Sequence, residues 1–193
     1  RLPEIERFAA DAPVFIAGST WPPDEELLVG LIERYPDVKF IVAPHEIDPA
    51  RIEKFCERIS RPALRYTQLT PQSDLAAAGV LFVDTIGILS SVYRYGRWGY
   101  IGGGFGAGIH NTLEAATFGL PLAFGPRYGK FREARDLVTL RGAASIASAE
   151  ELERWFAGLH DDPDATGRSG TICKEYVLQH KGATARIMDE ICR

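Results

Sequence analysis

Tyr100-Ile101-Gly102-Gly103-Gly104-Phe105-Gly106-Ala107-Gly108-Ile109-His110-Asn111-Thr112-Leu113-Glu114 joins the end of an apolar strand to a glycine loop and the start of a helix. Glycines at 102, 103, 104, 106 and 108 would weaken any strand or helix interior, so they mark unusual backbone angles or a close approach by a ligand. Leu113 to Phe118 is helical in character, and Gly119 with Pro121 is a stop signal. The helix is therefore short, with its amino end at the loop, where free N–H groups and the dipole suit a phosphate. Glu114 follows His110 and Asn111 by one helical turn, so an imidazole, an amide and a carboxylate share one side. That trio fits a ribose or a base beside a phosphate. It also fits a plain helix cap, with His110-Asn111 as an N-cap pair and Glu114 answering it in a capping box. No Gly-Lys-Ser/Thr follows, which excludes a Walker loop. Gly102, Gly104 and Ala107 satisfy G-x-G-x-x-A late in the chain with no acidic residue at the usual later distance, which argues against a dinucleotide site.

Outward from this loop, short β-rich apolar runs alternate with longer helical patterns. The runs 14–17, 39–43, 80–83, 99–101 and 120–124 predict strands, with weaker ones at 65–67 and 144–146. Helices are predicted near 23–35, 48–60, 86–95, 110–118, 131–140 and 149–159, with one or two more in 164–192. Asp161-Asp162-Pro163-Asp164 reads as a loop. The alternation predicts an α/β fold, a Rossmann-like parallel sheet, and the non-alternating strands place helices on both faces. Residues 1–193 form a single domain with no repeat or inner linker. Arg1 to Ala10 reads as the end of an amphipathic linker helix in a longer protein.

Composition narrows the function. Of the 193 residues, 46% are hydrophobic and 25% charged, as in an ordinary soluble domain, and the net charge of −4 with scattered Lys and Arg disfavours duplex nucleic acid. Cys56, Cys173 and Cys192 lack metal-ligand or C-x-x-C spacing, which implies free thiols in a reducing compartment such as the cytoplasm. No run approaches the ~20 apolar residues of a membrane span.

In an open parallel sheet, ligands bind beyond the carboxyl ends of the strands. The segments there are Gly18-Ser19-Thr20, Pro44-His45-Glu46, Asp84-Thr85-Ile86-Gly87, the glycine loop, and Gly125-Pro126-Arg127-Tyr128-Gly129-Lys130-Phe131. They are polar, small or cationic where a phosphate or sugar needs donors. Each also has a structural reading: Ser19 or Thr20 as an N-cap before Pro22-Pro23, Asp84 as a turn residue, Arg127 and Lys130 as solvated charges. Glu46, Asp84, Glu114 and Glu133 come singly from separate turns and form no evident metal cluster.

Gly18-Ser19-Thr20, Asp84-Thr85-Ile86-Gly87, the run GGGFGAGIHNTLEAATFGLP at 102–121, and Gly125-Pro126 with Phe131-Arg132-Glu133 resemble the 3-deoxy-D-manno-octulosonic acid (Kdo) transferases of lipopolysaccharide synthesis. The resemblance covers nearly the whole chain but only the donor-binding, C-terminal half of such a GT-B glycosyltransferase. It implies inverting transfer of Kdo from CMP-Kdo to a lipid A precursor, without metal or other cofactor, at the cytoplasmic face of the inner membrane. It also implies an acceptor domain, a catalytic base and a membrane attachment in an N-terminal half outside this chain. Phosphate and sugar contacts are then expected from Gly18, Ser19, Thr20, His45, Thr85, Gly87, Gly103, Gly104, Phe105, Arg127, Lys130 and the N–H groups near 108–112. His110 and Asn111 would contact phosphate or base, and Glu114 would accept the ribose hydroxyls. Glu46 is the only candidate base on this half. The chain departs from the commoner family pattern in having Pro44-His45-Glu46 for Pro-Arg-His, Ile88 for Glu in Asp-Thr-Ile-Gly-Glu-Leu, and Lys130-Phe131 for Asn-Phe. Two other readings compete: another GT-B enzyme using a UDP-sugar, as transferase or 2-epimerase, and a non-catalytic nucleotide-binding module.

Overall fold

A computed structural model describes residues 1–10 and 12–191, with side chains through His180. Cys192 lies outside the described residues. Seven strands form one parallel sheet: β1 (Val14–Thr20), β2 (Lys39–Pro44), β3 (Ala63–Arg65), β4 (Val80–Phe82), β5 (Trp98–Ile101), β6 (Leu122–Phe124) and β7 (Ala143–Ser145). Their order is β3-β4-β2-β1-β5-β6-β7. All seven predicted strands are present, each within a few residues of its expected bounds.

Among the described residues eight helices cover the sheet: α1 (Pro3–Phe8), α2 (Pro22–Arg34), α3 (Pro49–Cys56), α4 (Leu89–Val92), α5 (Thr112–Ala116), α6 (Arg132–Thr139), α7 (Ala149–His160) and α8 (Pro163–Ile191). Successive strand residues point to opposite faces, which makes two cores. Phe15, Ala17, Phe40, Val42, Trp98 and Tyr100 pack under α2, α3 and α7. Val14, Ile16, Ile41, Ile101, Leu122 and Phe124 pack under α1, α5, α6 and α8. Helices therefore lie on both faces, as the apolar, non-alternating strands predict.

Several boundaries differ for local reasons. The helix expected over 86–95 shrinks to α4 and a 3₁₀ turn at Tyr93–Tyr95, because Gly87 has φ +89° and interrupts any helix begun earlier. The cap before Pro22 is Trp21, neither Ser19 nor Thr20. Asp162 is more than a loop residue: its carboxylate accepts the Asp164 and Ala165 N–H groups at 3.0 and 2.9 Å, and one long helix, α8, starts at Pro163. Ile5 and Phe8 of α1 are fully buried, and the Lys39 ammonium donates to the Phe8 carbonyl at 3.0 Å, so the N-terminal helix is part of the core. Cys56 and Cys173 are free thiols. Among the described residues no helix is long and apolar enough to cross a membrane.

Candidate functional site

The strand order reverses at β1: β2 lies on one side of it and β5 on the other. In open parallel sheets this switch point opens a crevice at the carboxyl edge, where neighbouring connections leave toward opposite faces. Here the crevice lies between the end of β1 and the glycine loop after β5. Gly18 pairs with Ala43 and Thr20 with Pro44, so Ser19 is left out of the register, with φ +55°. The bulge turns the chain toward Trp21. A side chain at Gly102 would stand 2.2 Å from the Ser19 carbonyl, so the two loops touch.

One buried carboxylate ties these loops together. Asp24, in the first turn of α2, accepts the Tyr100 hydroxyl at 2.7 Å, the Gly103 N–H at 2.9 Å and the Trp21 N–H at 2.9 Å. Three donors satisfy both oxygens of a carboxyl group at 1% exposure. Gly103 meets this anchor in the left-handed region, at φ +93°, where a side chain would be strained.

Two cavities share the edge and meet at His45. The first, about 490 Å³, is bordered by Trp21, Asp24, His45, Gly103, Phe105 and His110 among others. The second, about 500 Å³, is bordered by Ser19, the Pro44–Ile47 turn and the Val83–Gly87 turn, including Thr85. Between them three rings stack: Trp21 on His45 with centroids 4.7 Å apart, and His45 on His110 at 4.3 Å. Trp21 Nε1 donates to His110 Nε2 at 3.2 Å, so that nitrogen holds a lone pair. Burial, then the neighbouring His45, holds the His110 pKa below its ordinary value against a smaller pull from Asp24.

The structure thus brings Ser19, His45, Thr85, Gly87, Gly103, Phe105 and His110 to the cavities. Other expected site residues are spent elsewhere. Thr20 is fully buried and donates its hydroxyl to Glu25 at 3.0 Å. Gly18 makes room for Tyr93, whose hydroxyl would lie 2.0 Å from any added Cβ. Gly104 crosses the backbone of Gly125, 2.5 Å from where its own Cβ would be, so its missing side chain serves chain packing. Arg127 and Lys130 donate to the carbonyls of Gly106 and Ala107 at 2.8 and 2.9 Å, clamping the glycine loop from outside the cavity. The N–H groups of Gly108 and His110 bond to Gly103 and Gly102 carbonyls, which removes two of the donors expected near 108–112. Asn111 is the N-cap of α5, accepting from Leu113 N–H at 3.0 Å and donating its amide to Glu114 Oε1 at 3.0 Å. Glu114 Oε2 keeps no partner among the described residues. Asp84 is buried and takes Arg65 Nε at 2.8 Å with both Thr67 donors, and burial is outweighed by these bonds so that its pKa is lowered. Among the described residues no group of three or more His, Cys, Asp or Glu gathers as a metal site.

A third cavity, about 600 Å³ and largely apolar, lies away from this edge between α6, α7 and α8, with Trp155 and Leu159 on its wall. It collects no acid, histidine or glycine loop.

No family model matches the chain. It is 31% identical to the 3-deoxy-D-manno-octulosonic acid transferase of Rickettsia bellii, an alignment covering 98% of this chain and 46% of that protein. It is 26% identical to the same enzyme of Haemophilus influenzae over 93% of this chain and 43% of that one. Over nearly its whole length the chain is similar to Kdo transferases. It spans a little under half the length of these curated relatives. Its fold is that of one GT-B half: the C-terminal CMP-Kdo binding domain of WaaA from Acinetobacter baumannii superposes with a TM-score of 0.77 at 22% identity, over 93% of this chain and all of that one.

Proposed function

We propose that this chain is the donor-binding half of a glycosyltransferase that moves Kdo from CMP-Kdo to a lipid A precursor, with inversion and without a metal. The observation that carries the reading is the pair of cavities meeting at His45 on the switch-point edge of a Kdo transferase relative. The nucleoside fits the second cavity, where the Val83–Gly87 and Pro44–Ile47 turns offer backbone groups to a base edge. Glu114 Oε2 is the acceptor for ribose hydroxyls, and Asn111, already hydrogen-bonded to Glu114, orients it. The phosphate lies at His45 and His110, and the sugar acid enters the cavity under the glycine loop, against Phe105. In the transfer, an acceptor hydroxyl attacks the anomeric carbon, a base takes its proton, and CMP departs with the bonding pair. The acceptor groove, the base and the attachment to the inner face of the membrane belong to the other half; Glu46, exposed beside the second cavity, is the carboxylate to test as a base on this one.

Positioning donor and acceptor in a closed cleft supplies up to ~7–11 kcal/mol of rate enhancement, which half a cleft forfeits. The purified chain, given CMP-Kdo and a lipid A precursor, should yield no glycolipid by mass spectrometry, and one polypeptide carrying both halves should yield it. Turnover by this chain alone would contradict the two-half reading. In calorimetry CMP should bind more tightly than UMP; the reverse order would favour a UDP-sugar enzyme.

A further inference from the structure

We propose that His45 and His110 act as one titratable cation in the donor site, taking up a single proton from solvent when a phosphodiester-bearing ligand binds. The inference rests on the proposed placement of the donor and concerns how its charge is met. A nucleotide-linked sugar acid brings a phosphodiester and a carboxylate, two negative charges, to the cavity under the glycine loop. None of the residues bordering that cavity is a lysine or arginine, and its one acid, Asp24, adds negative charge. Of the nearby permanent cations, Arg127 and Lys130 are bonded to loop carbonyls outside it, and Arg51 is held by the Glu46 carbonyl at 2.8 Å and by Glu25 at 3.6 Å. The only bordering side chains able to become positive are the two stacked imidazoles.

In the unliganded structure His110 is set for the neutral form. Trp21 Nε1 donates to His110 Nε2, so that nitrogen bears no hydrogen, and burial and His45 both disfavour charge on His110. The charged and titratable groups around the pair are few. Asp24 faces it from α2 but is saturated by Tyr100, Gly103 and Trp21; Glu46 follows His45 and is exposed; Arg51 of α3 donates to the Glu46 carbonyl and pairs with the buried Glu25 of α2; Glu114 lies on α5, bonded to Asn111; Arg127 and Lys130 stand behind the loop. An arriving anion shifts this balance toward the protonated form. Proton uptake at His110 Nε2 turns an acceptor into a donor and releases the Trp21 N–H, so two ring nitrogens that shared one hydrogen bond each present an N–H to the anion. Two rings 4.3 Å apart repel if both are charged, so the pair takes one proton.

The test is calorimetry on the intact chain with the methyl ester of CMP, whose phosphate keeps one charge across the neutral range, and with cytidine. Titrations at pH 7.5 in buffers of different ionisation enthalpy should show uptake of about one proton per ester and none per cytidine, and ester affinity should fall by about tenfold per pH unit on the alkaline side. His45→Arg, which installs a permanent cation, should cut the proton uptake and flatten most of the pH dependence of ester affinity, which a ring needed only for packing would not do. His110→Gln should abolish the uptake. Binding of the ester with no proton uptake, or with unchanged uptake in His110→Gln, would overturn the proposal while leaving the donor site intact. Failure of both ester and cytidine to bind would remove the donor-site reading and this inference with it.

Discussion

His110 and His160 both sit among aromatic rings, yet their surroundings push them in opposite directions. His160 packs against Tyr35 at 5.0 Å and Phe156 at 5.5 Å, and each ring nitrogen meets a carboxylate: Asp161 Oδ1 at 3.0 Å and Asp37 Oδ2 at 2.7 Å. Burial opposes its charge, but the two acids outweigh burial and its pKa is raised. His110 has no carboxylate partner; it accepts from an indole and stacks on another imidazole. Ring packing alone thus does not decide the charge state; the partner does. On the flank, both ring nitrogens of the histidine are satisfied by carboxylates. At the switch-point edge a histidine is held neutral with a bond it can give up.

The same contrast orders the expected effects. The largest belongs to the acid under the loop. Asp24→Ala leaves the Tyr100 hydroxyl and two backbone N–H groups without their acceptor, and should cost about 3–5 kcal/mol in denaturant unfolding. Asp37→Ala, an exposed partner of His160, should cost less than about 1 kcal/mol. Equal costs would mean that Asp24 does not anchor the loop.

Next comes Glu114→Ala, expected to weaken CMP binding by about 1.5–3 kcal/mol through two lost charge-assisted hydrogen bonds, with little change in stability. Unchanged affinity would leave Glu114 as a helix-capping partner of Asn111 and nothing more.

Smaller again are the pH effects on stability, which carry opposite signs. His160 has a raised pKa, so its contribution is fully present below about 6.5 and is lost as pH rises through the folded value. His160→Gln should therefore lower Tm more at pH 5.5 than at pH 8.5. His110 has a lowered pKa, so its native form resists the proton that the unfolded chain accepts, and the wild type loses stability as pH falls below about 6.5. His110→Gln should lose less over that range. Parallel Tm–pH curves for the two variants would erase the contrast. The smallest effect is none: EDTA should leave CMP binding unchanged, and a Mg²⁺ or Mn²⁺ requirement would place a metal in a site with no gathered ligand cluster.

The sheet was legible because its strands are short apolar runs bounded by turn residues, and even the weak runs near 65 and 145 found edges to pair with. The glycine loop was legible as a site, but the reasons for its glycines were mixed. Gly103 meets the cavity, whereas Gly102 and Gly104 are small so that Ser19 and Gly125 can pass close by. Asp24 was missed. In sequence it is an ordinary acid in a first helical turn, and its bond to Gly103 spans 79 positions. The one available signal was its place in the first βα connection, which always abuts the switch point. Trp21 was missed for a similar reason, reading as a residue before two prolines while its ring reaches across the crevice to His110. For Arg127 and Lys130 position alone leaves ligand cation and solvated charge both open; whether a lysine reaches a phosphate or a carbonyl depends on a loop path that sequence does not encode locally.

The central claim, that a cytidine nucleotide occupies the switch-point edge, is tested most directly by mapping amide shifts while CMP is titrated into the chain. The largest changes should fall in 19–21, 45–47, 85–88 and 103–114, around the two cavities that meet at His45. Changes centred on the apolar cavity of Leu140, Trp155 and Ile172, or none at millimolar CMP, would contradict it.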